Sequence, residues 1–203
     1  MRLQRGNVQI AAASARTDCG QCFDESDDAR NRLFVGQVGK RRGRRLLMLG
    51  PPRDRIEDIL AAAVDCGFQT RADDPANYAI PCSGAGACAS AHYSTRQAAA
   101  DLINLGPDLL DGSLQVHLSG CAKGCAHPSP AMLTIVGAAT GYAIVVNGSS
   151  SSEPVAYIHK EDLKSALTAL GKLVRNNKAA GESAQQCLKR LGRDAIATAL
   201  RQG

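Results

Sequence analysis

Four cysteines in two short words carry the chemistry that this sequence suggests. Cys82 and Cys88 flank the five residues SGAGA, and Cys121 and Cys125 flank the three residues AKG. Four thiolates that converge on one small volume can hold a 4Fe-4S cubane. Glycine and alanine dominate both segments, so the backbone can come close and aim amide N–H groups at sulfur. Zinc is the competing metal, but its structural sites use pairs separated by roughly two to four residues, which the five-residue gap fits less well. The plain alternative is four buried cysteines acting as small hydrophobes, and the glycine-rich setting argues against it.

The other four cysteines read differently. Cys19 and Cys22 form a CGQC pair, which could be a second metal half-site or a redox dithiol. No second pair or strand–helix context accompanies it, so an incidental pair is preferred. Cys66 and Cys187 fall on apolar helical faces and read as core residues.

The elements that must position the four cysteines follow from the apolar pattern. Arg45 to Leu49 reads as a strand and Asp54 to Cys66 as a helix, with Ile56, Ile59, Leu60 and Ala63 at helical spacing. Short strand-like pieces occur at Gly6 to Ile10 and Leu33 to Val38. Tyr78 to Pro81 delivers the chain to Cys82, and the helix-forming run from Cys88 to the stop at Gly106 and Pro107 places Cys88 near a helix start. Such a start would add partial positive charge beside a thiolate. Leu114 to Leu118 enters the second word as a strand, and Met132 to Val136 pairs with Tyr142 to Val146 around Gly141. Lys160 to Val174 and Glu182 to Arg201 read as two helices. Their apolar stripe, Leu163, Leu167 and Leu170 with Leu188, Leu191, Ile196 and Leu200, is packing surface.

Composition narrows the class. The 203 residues suffice for a sizeable core, and eight cysteines point to metal or catalysis in a reducing compartment. The excess of 24 Lys and Arg over 19 Asp and Glu favours anionic partners, and much of it sits in Lys40, Arg41, Arg42, Arg44 and Arg45. That run is a solvated loop or faces phosphate, membrane or a polycarboxylate. With 3% aromatics and no Trp, stacking platforms for nucleic acid are scarce, so a zinc-stabilised nucleic-acid module ranks last. No run approaches the roughly 20 apolar residues of a membrane span. The start lacks the apolar block of a secretory signal, so a cytoplasmic location is expected.

The words PCSGAGACASAH and VHLSGCAKGCAHPSPAMLTIVG resemble the cluster-binding half of the sulfite and nitrite reductase family, from about Arg44 to Val146. The wording GCAKGCAHP, with Lys123, His127 and Pro128, is similar to the branch that acts in oxygen-dependent cobalamin biosynthesis. The resemblance implies an α+β fold in which a ferredoxin-like half domain joins the cluster-binding α/β domain and a helical C-terminal tail follows. In residue ranges this gives a basic N-terminal segment at 1–43, a half-domain piece at 44–79, the cluster domain at 80–150 and the tail at 151–203.

By the same resemblance Cys82, Cys88, Cys121 and Cys125 ligate a 4Fe-4S cluster, and Cys125 is the one that bridges to sirohaem iron in the reductases. The implied function is an oxidoreductase that converts precorrin-3A to precorrin-3B with dioxygen, by hydroxylation and lactone closure, fed by an electron donor. The alternatives are a sirohaem-type reductase fragment and a non-catalytic electron-transfer module. A tetrapyrrole of this class carries many carboxylates, for which Arg5, Arg44, Arg45 and Lys123 are the candidate partners. A separate non-haem iron is implied too. His92, His117, His127 and Asp101 suit it by element type, although a satisfied side chain is the simpler reading of each, and Asp101 reads as a solvated helix position. Family members have two pseudo-symmetric halves and about twice this length, so the resemblance leaves three alternatives: a shortened gene product, a subunit whose tetrapyrrole wall a second polypeptide completes, or a remnant that binds a cluster without turnover.

Overall fold

The computed structural model describes residues 7–11, 37–41, 45–49, 53–65 and 68–202. Two compact units divide the chain, Met1–Asn77 and Tyr78–Gly203.

In the first unit, β1 (Asn7–Ala11), β2 (Gln37–Arg41) and β3 (Arg45–Leu49) form an antiparallel sheet in the order β1-β3-β2. The apolar sequence RLLML takes the central place, with Leu49 opposite Asn7 on one side and Gln37 on the other. A 3-10 turn at Arg53–Arg55 leads into α1 (Ile56–Asp65), whose Ile59 and Ala63 are buried at helical spacing. The strand–helix succession read from the sequence is therefore present.

The second unit is built on a five-stranded sheet in the order β4-β5-β6-β7-β8. Its strands are β4 (Ala79–Pro81), β5 (Val116–Ser119), β6 (Ala131–Ala138), β7 (Gly141–Gly148) and β8 (Ala156–His159). β4, β5 and β6 run parallel, whereas β6, β7 and β8 are antiparallel neighbours. Parallel strands need a crossover, and α2 (Thr95–Leu105) supplies it between β4 and β5. The expected strand pair around Gly141 is a hairpin that turns through Ala139 and Thr140, with Ala138 paired to Gly141.

Helices α3 (Leu163–Asn177) and α4 (Ala184–Gln202) close the unit. Leu163, Leu167, Leu170, Leu188, Ile196 and Leu200 of the predicted stripe are buried in one core with Leu102 of α2 and Leu118, Leu133, Ile135 and Ile144 of the sheet. Burial of each such side chain stabilises the fold by about 1.5–3 kcal/mol, so the two C-terminal helices are integral to the sheet's core. Gly192, with φ 80° and ψ 176°, interrupts α4. No helix among the described residues is long and apolar enough to cross a membrane.

All four residues of β5 are buried. Side chains alternate along a strand, so Val116 and Leu118 enter the helical core while His117 and Ser119 project from the opposite face. That second face is covered as well, which brings the segment after β5 into the candidate site.

Candidate cluster-binding site

Cys82 follows the last residue of β4, and Cys121 and Cys125 follow the last residues of β5. Pro81 pairs in parallel with Leu118, so both cysteine-bearing loops leave the same edge of the sheet side by side. The carboxyl ends of parallel strands are where α/β sheets gather ligands, because loops rather than pleated backbone occupy that edge.

Backbone contacts tie the loops together. The amide of Cys82 donates to the Leu118 carbonyl at 2.9 Å, and the amide of His92 donates to the Gly120 carbonyl at 2.9 Å. The Gly120 amide donates to Cys82 Sγ at 3.1 Å. Gly120 is required by this closeness: a Cβ there would lie 2.6 Å from Ala91 Cβ and 3.4 Å from Cys82 Sγ. Gly137 of β6 is similar, since its Cβ would lie 2.5 Å from the Gly120 carbonyl oxygen and 2.7 Å from the Tyr93 ring.

Side chains complete the framework. Thr95 Oγ1, fully buried at the start of α2, donates to the Cys82 carbonyl at 2.7 Å. Ser119 Oγ donates to the Cys121 carbonyl at 2.7 Å, and Ser150 Oγ to the Ala122 carbonyl at 2.9 Å. Tyr93 meets Tyr142 edge to face with centroids 4.9 Å apart, donates from its hydroxyl to the Ile135 carbonyl at 3.1 Å, and is held well above the usual phenol pKa by burial. Of these framework residues the sequence reading singles out none. Gly120, immediately before Cys121, is the one with a visible signal, because glycine beside a ligand cysteine marks close backbone approach.

Cys88 departs from expectation. Helix α2 begins at Thr95, with Ser94 as its N-cap accepting from the Gln97 amide at 3.4 Å. Cys88 lies in the preceding loop, where its amide donates to the Gly84 carbonyl at 3.0 Å. After Cys88 the Ala91 amide closes a turn on the Cys88 carbonyl and the His92 amide bonds the Gly120 carbonyl, so the helix start does not reach Cys88.

The thiols of Cys82, Cys88, Cys121 and Cys125 are free, with Cys82 and Cys121 half-buried and Cys88 and Cys125 exposed. By element type four free thiols suit a thiolate-ligated cluster, and one of them, Cys82 Sγ, already accepts from a backbone amide. No three His, Cys, Asp or Glu side chains among the described residues are gathered at metal-binding distance. Cys187 is also free but fully buried in the core, as its apolar face implies. Cys19, Cys22 and Cys66 lie outside the described residues.

The candidates for a non-haem iron do not form one set. His117 is fully buried, neither ring nitrogen has a hydrogen-bond partner among the described residues, and His127 lies edge-on at 5.5 Å between centroids. Burial, reinforced by His127, pulls the His117 pKa from 6.5 down to about 4. His92 is exposed. Asp101 is not the solvated position expected: it is half-buried on α2, accepts from Gln97 Nε2 at 3.3 Å and lies 3.8 Å from Lys164 Nζ. Two imidazoles without a carboxylate do not make the two-histidine, one-carboxylate face of oxygen-activating iron.

Among the proposed carboxylate partners, Lys123 is placed, exposed, with Nζ donating to Ser90 Oγ at 2.9 Å. Arg45 begins β3. Arg5 and Arg44 lie outside the described residues.

No family model matches the chain. It is 49% identical over 158 residues to a precorrin-3B synthase of a Sinorhizobium species, a match that covers 78% of this chain and 34% of that protein. Among solved structures it resembles the NirA protein of Mycobacterium tuberculosis with a TM-score of 0.70 at 18% identity, over 94% of this chain and 39% of that one. The chain thus spans about a third of the curated relative it matches. It is similar in sequence to part of a precorrin-3B synthase and shares the fold of the NirA protein.

Proposed function

We propose that the chain is the cluster-binding part of an oxidoreductase of cobalamin biosynthesis, which converts precorrin-3A to precorrin-3B with dioxygen. Cys82, Cys88, Cys121 and Cys125 would hold a 4Fe-4S cluster beside the tetrapyrrole, in a cytoplasmic protein served by an external electron donor. The observation that carries this reading is the seam between the two cysteine loops, where the Gly120 amide donates to Cys82 Sγ at 3.1 Å. The 49% identity to precorrin-3B synthase supports the choice of substrate.

When bound, the cluster would supply electrons one at a time at this edge of the sheet. The chain's own part is to present four thiolates from two loops and to turn an amide N–H toward sulfur. Arg5, Arg44, Arg45 and Lys123 would pair with the carboxylates of the macrocycle, arginine as a bidentate fork and lysine as a point charge. The histidines brought together, His117 and His127, lack the carboxylate that a non-haem iron face needs.

Anaerobic purification and reconstitution, followed by iron, sulfide and extracted-pigment analysis, tests the reading. About four irons and four sulfides per chain are expected for one cubane. Colourless, iron-free protein would overturn it. A second reading, an electron-transfer module with cluster but no tetrapyrrole, is favoured by the placement of all four cysteines in one compact unit. Adding precorrin-3A or sirohaem while recording the cluster's EPR spectrum separates the two, since a changed spectrum supports the enzyme and an unchanged one the module.

A further inference from the structure

We infer that Lys123 is a clasp between the two cysteine-bearing loops, and that it sets a fixed positive charge beside the metal they bind. This rests on the cluster reading above and adds to it a residue that holds no metal.

Lys123 is two residues from each of Cys121 and Cys125, and its ammonium reaches Ser90, two residues beyond Cys88. The bond therefore joins the segments that carry three of the four thiols. It lies beyond the backbone seam, where the His92 amide meets the Gly120 carbonyl and the Gly120 amide meets Cys82 Sγ. The seam fixes the near ends of the loops. Around Ser90 the backbone closes one local turn, from the Ala91 amide to the Cys88 carbonyl at 3.1 Å, so a side-chain link at Ser90 steadies a segment whose Cys88 and Ala89 are exposed.

An ammonium has three donors, and Ser90 uses one. The ammonium is carried on the segment between Cys121 and Cys125, and a cation beside an anionic cluster would favour its more negative, reduced state. Removing that charge should lower the reduction potential. Removing the Ser90 hydroxyl should loosen the loop and leave the charge behind.

The experiment compares Lys123→Met, Lys123→Arg and Ser90→Ala in two forms of the full chain. In cluster-free protein, hydrogen exchange across residues 83–93 reports the clasp itself. Severalfold faster exchange is expected in Lys123→Met and Ser90→Ala, and near wild-type exchange in Lys123→Arg. Unchanged exchange in both of the first two overturns the clasp, whatever the protein binds. In reconstituted protein, chelator-driven iron release and an EPR-monitored redox titration report the charge. Faster release is expected in Lys123→Met and Ser90→Ala, with a lower midpoint potential only in Lys123→Met. Equal shifts in Lys123→Met and Ser90→Ala, or none, overturn the electrostatic role. Wild-type protein that takes up no iron instead defeats the cluster reading and with it the charge role, while the exchange result still decides the clasp.

Discussion

Replacing Gly120 with alanine tests the seam on which the site depends. Gly120 is not in the left-handed region, so its backbone accepts alanine and any cost comes from packing. The new Cβ would sit 2.6 Å from Ala91 Cβ and 3.2 Å from Ala91 Cα, and these belong to a loop pinned by the His92 amide on the Gly120 carbonyl. Relief requires the two loops to part. Overpacking of this kind costs about 1–3 kcal/mol. Weakening the Gly120 amide to Cys82 Sγ bond adds about 0.5–1.5 kcal/mol, for a total of about 1.5–4.5 kcal/mol. With a urea dependence of roughly 2 kcal/mol per molar, the unfolding midpoint should fall by about 1–2 M at unchanged slope. Iron bound after anaerobic reconstitution should fall with it, because Cys82 and Cys121 are moved apart. Gly181→Ala is the control. Gly181 has φ +75° and a Cβ there would meet nothing within 4 Å, so alanine costs roughly 1–2 kcal/mol in backbone strain and leaves iron uptake intact. Wild-type stability and full iron in Gly120→Ala would refute the reasoning.

Other outcomes follow from the same geometry. Cys121→Ser should lose most of the bound iron and its colour, whereas Cys187→Ser, deep in the helical core, should keep both in iron assays. His117 gives a pH signature. Its native pKa of about 4 lies below the ordinary 6.5, so below pH 6.5 the unfolded chain takes up a proton that the native state refuses. Stability should therefore decline between about pH 6.5 and pH 4, by at most about 3 kcal/mol, and His117→Leu should flatten that part of a denaturation series; parallel curves for the two proteins would count against it. Asp111→Ala should destabilise by about 1–2 kcal/mol, because Asp111 Oδ2 accepts from Lys178 Nζ at 2.8 Å and from the Ala184 amide at the start of α4 at 2.7 Å. These contacts hold the Asp111 carboxyl well below its usual pKa. Its contribution is present at neutral pH and is lost as acid protonates it, so thermal melts of wild type and variant should converge toward low pH.

What the sequence determined by itself was local and periodic. The run RLLML, the hairpin around Gly141 and the two C-terminal helices were legible because apolar spacing reports which face of an element is buried. The two cysteine words were legible because their spacing and glycines are properties of contiguous residues. The framework between them was not. That Thr95 reaches Cys82, that Ser150 reaches Ala122, and that Gly120 must lack a side chain because Ala91 is there, depend on residues 13 to 29 positions apart. The helix start failed as a reading at Cys88 because the helix formers of ASAHYSTRQAAADLINL are concentrated after Thr95, where the helix begins, whereas the loop before it is set by tertiary bonds to Gly120 and Leu118. His117 shows the same division. Alternation could place it opposite Val116 and Leu118, but only the chain folding back from β5 to β6 decides that this second face is covered and that the imidazole is buried beside His127.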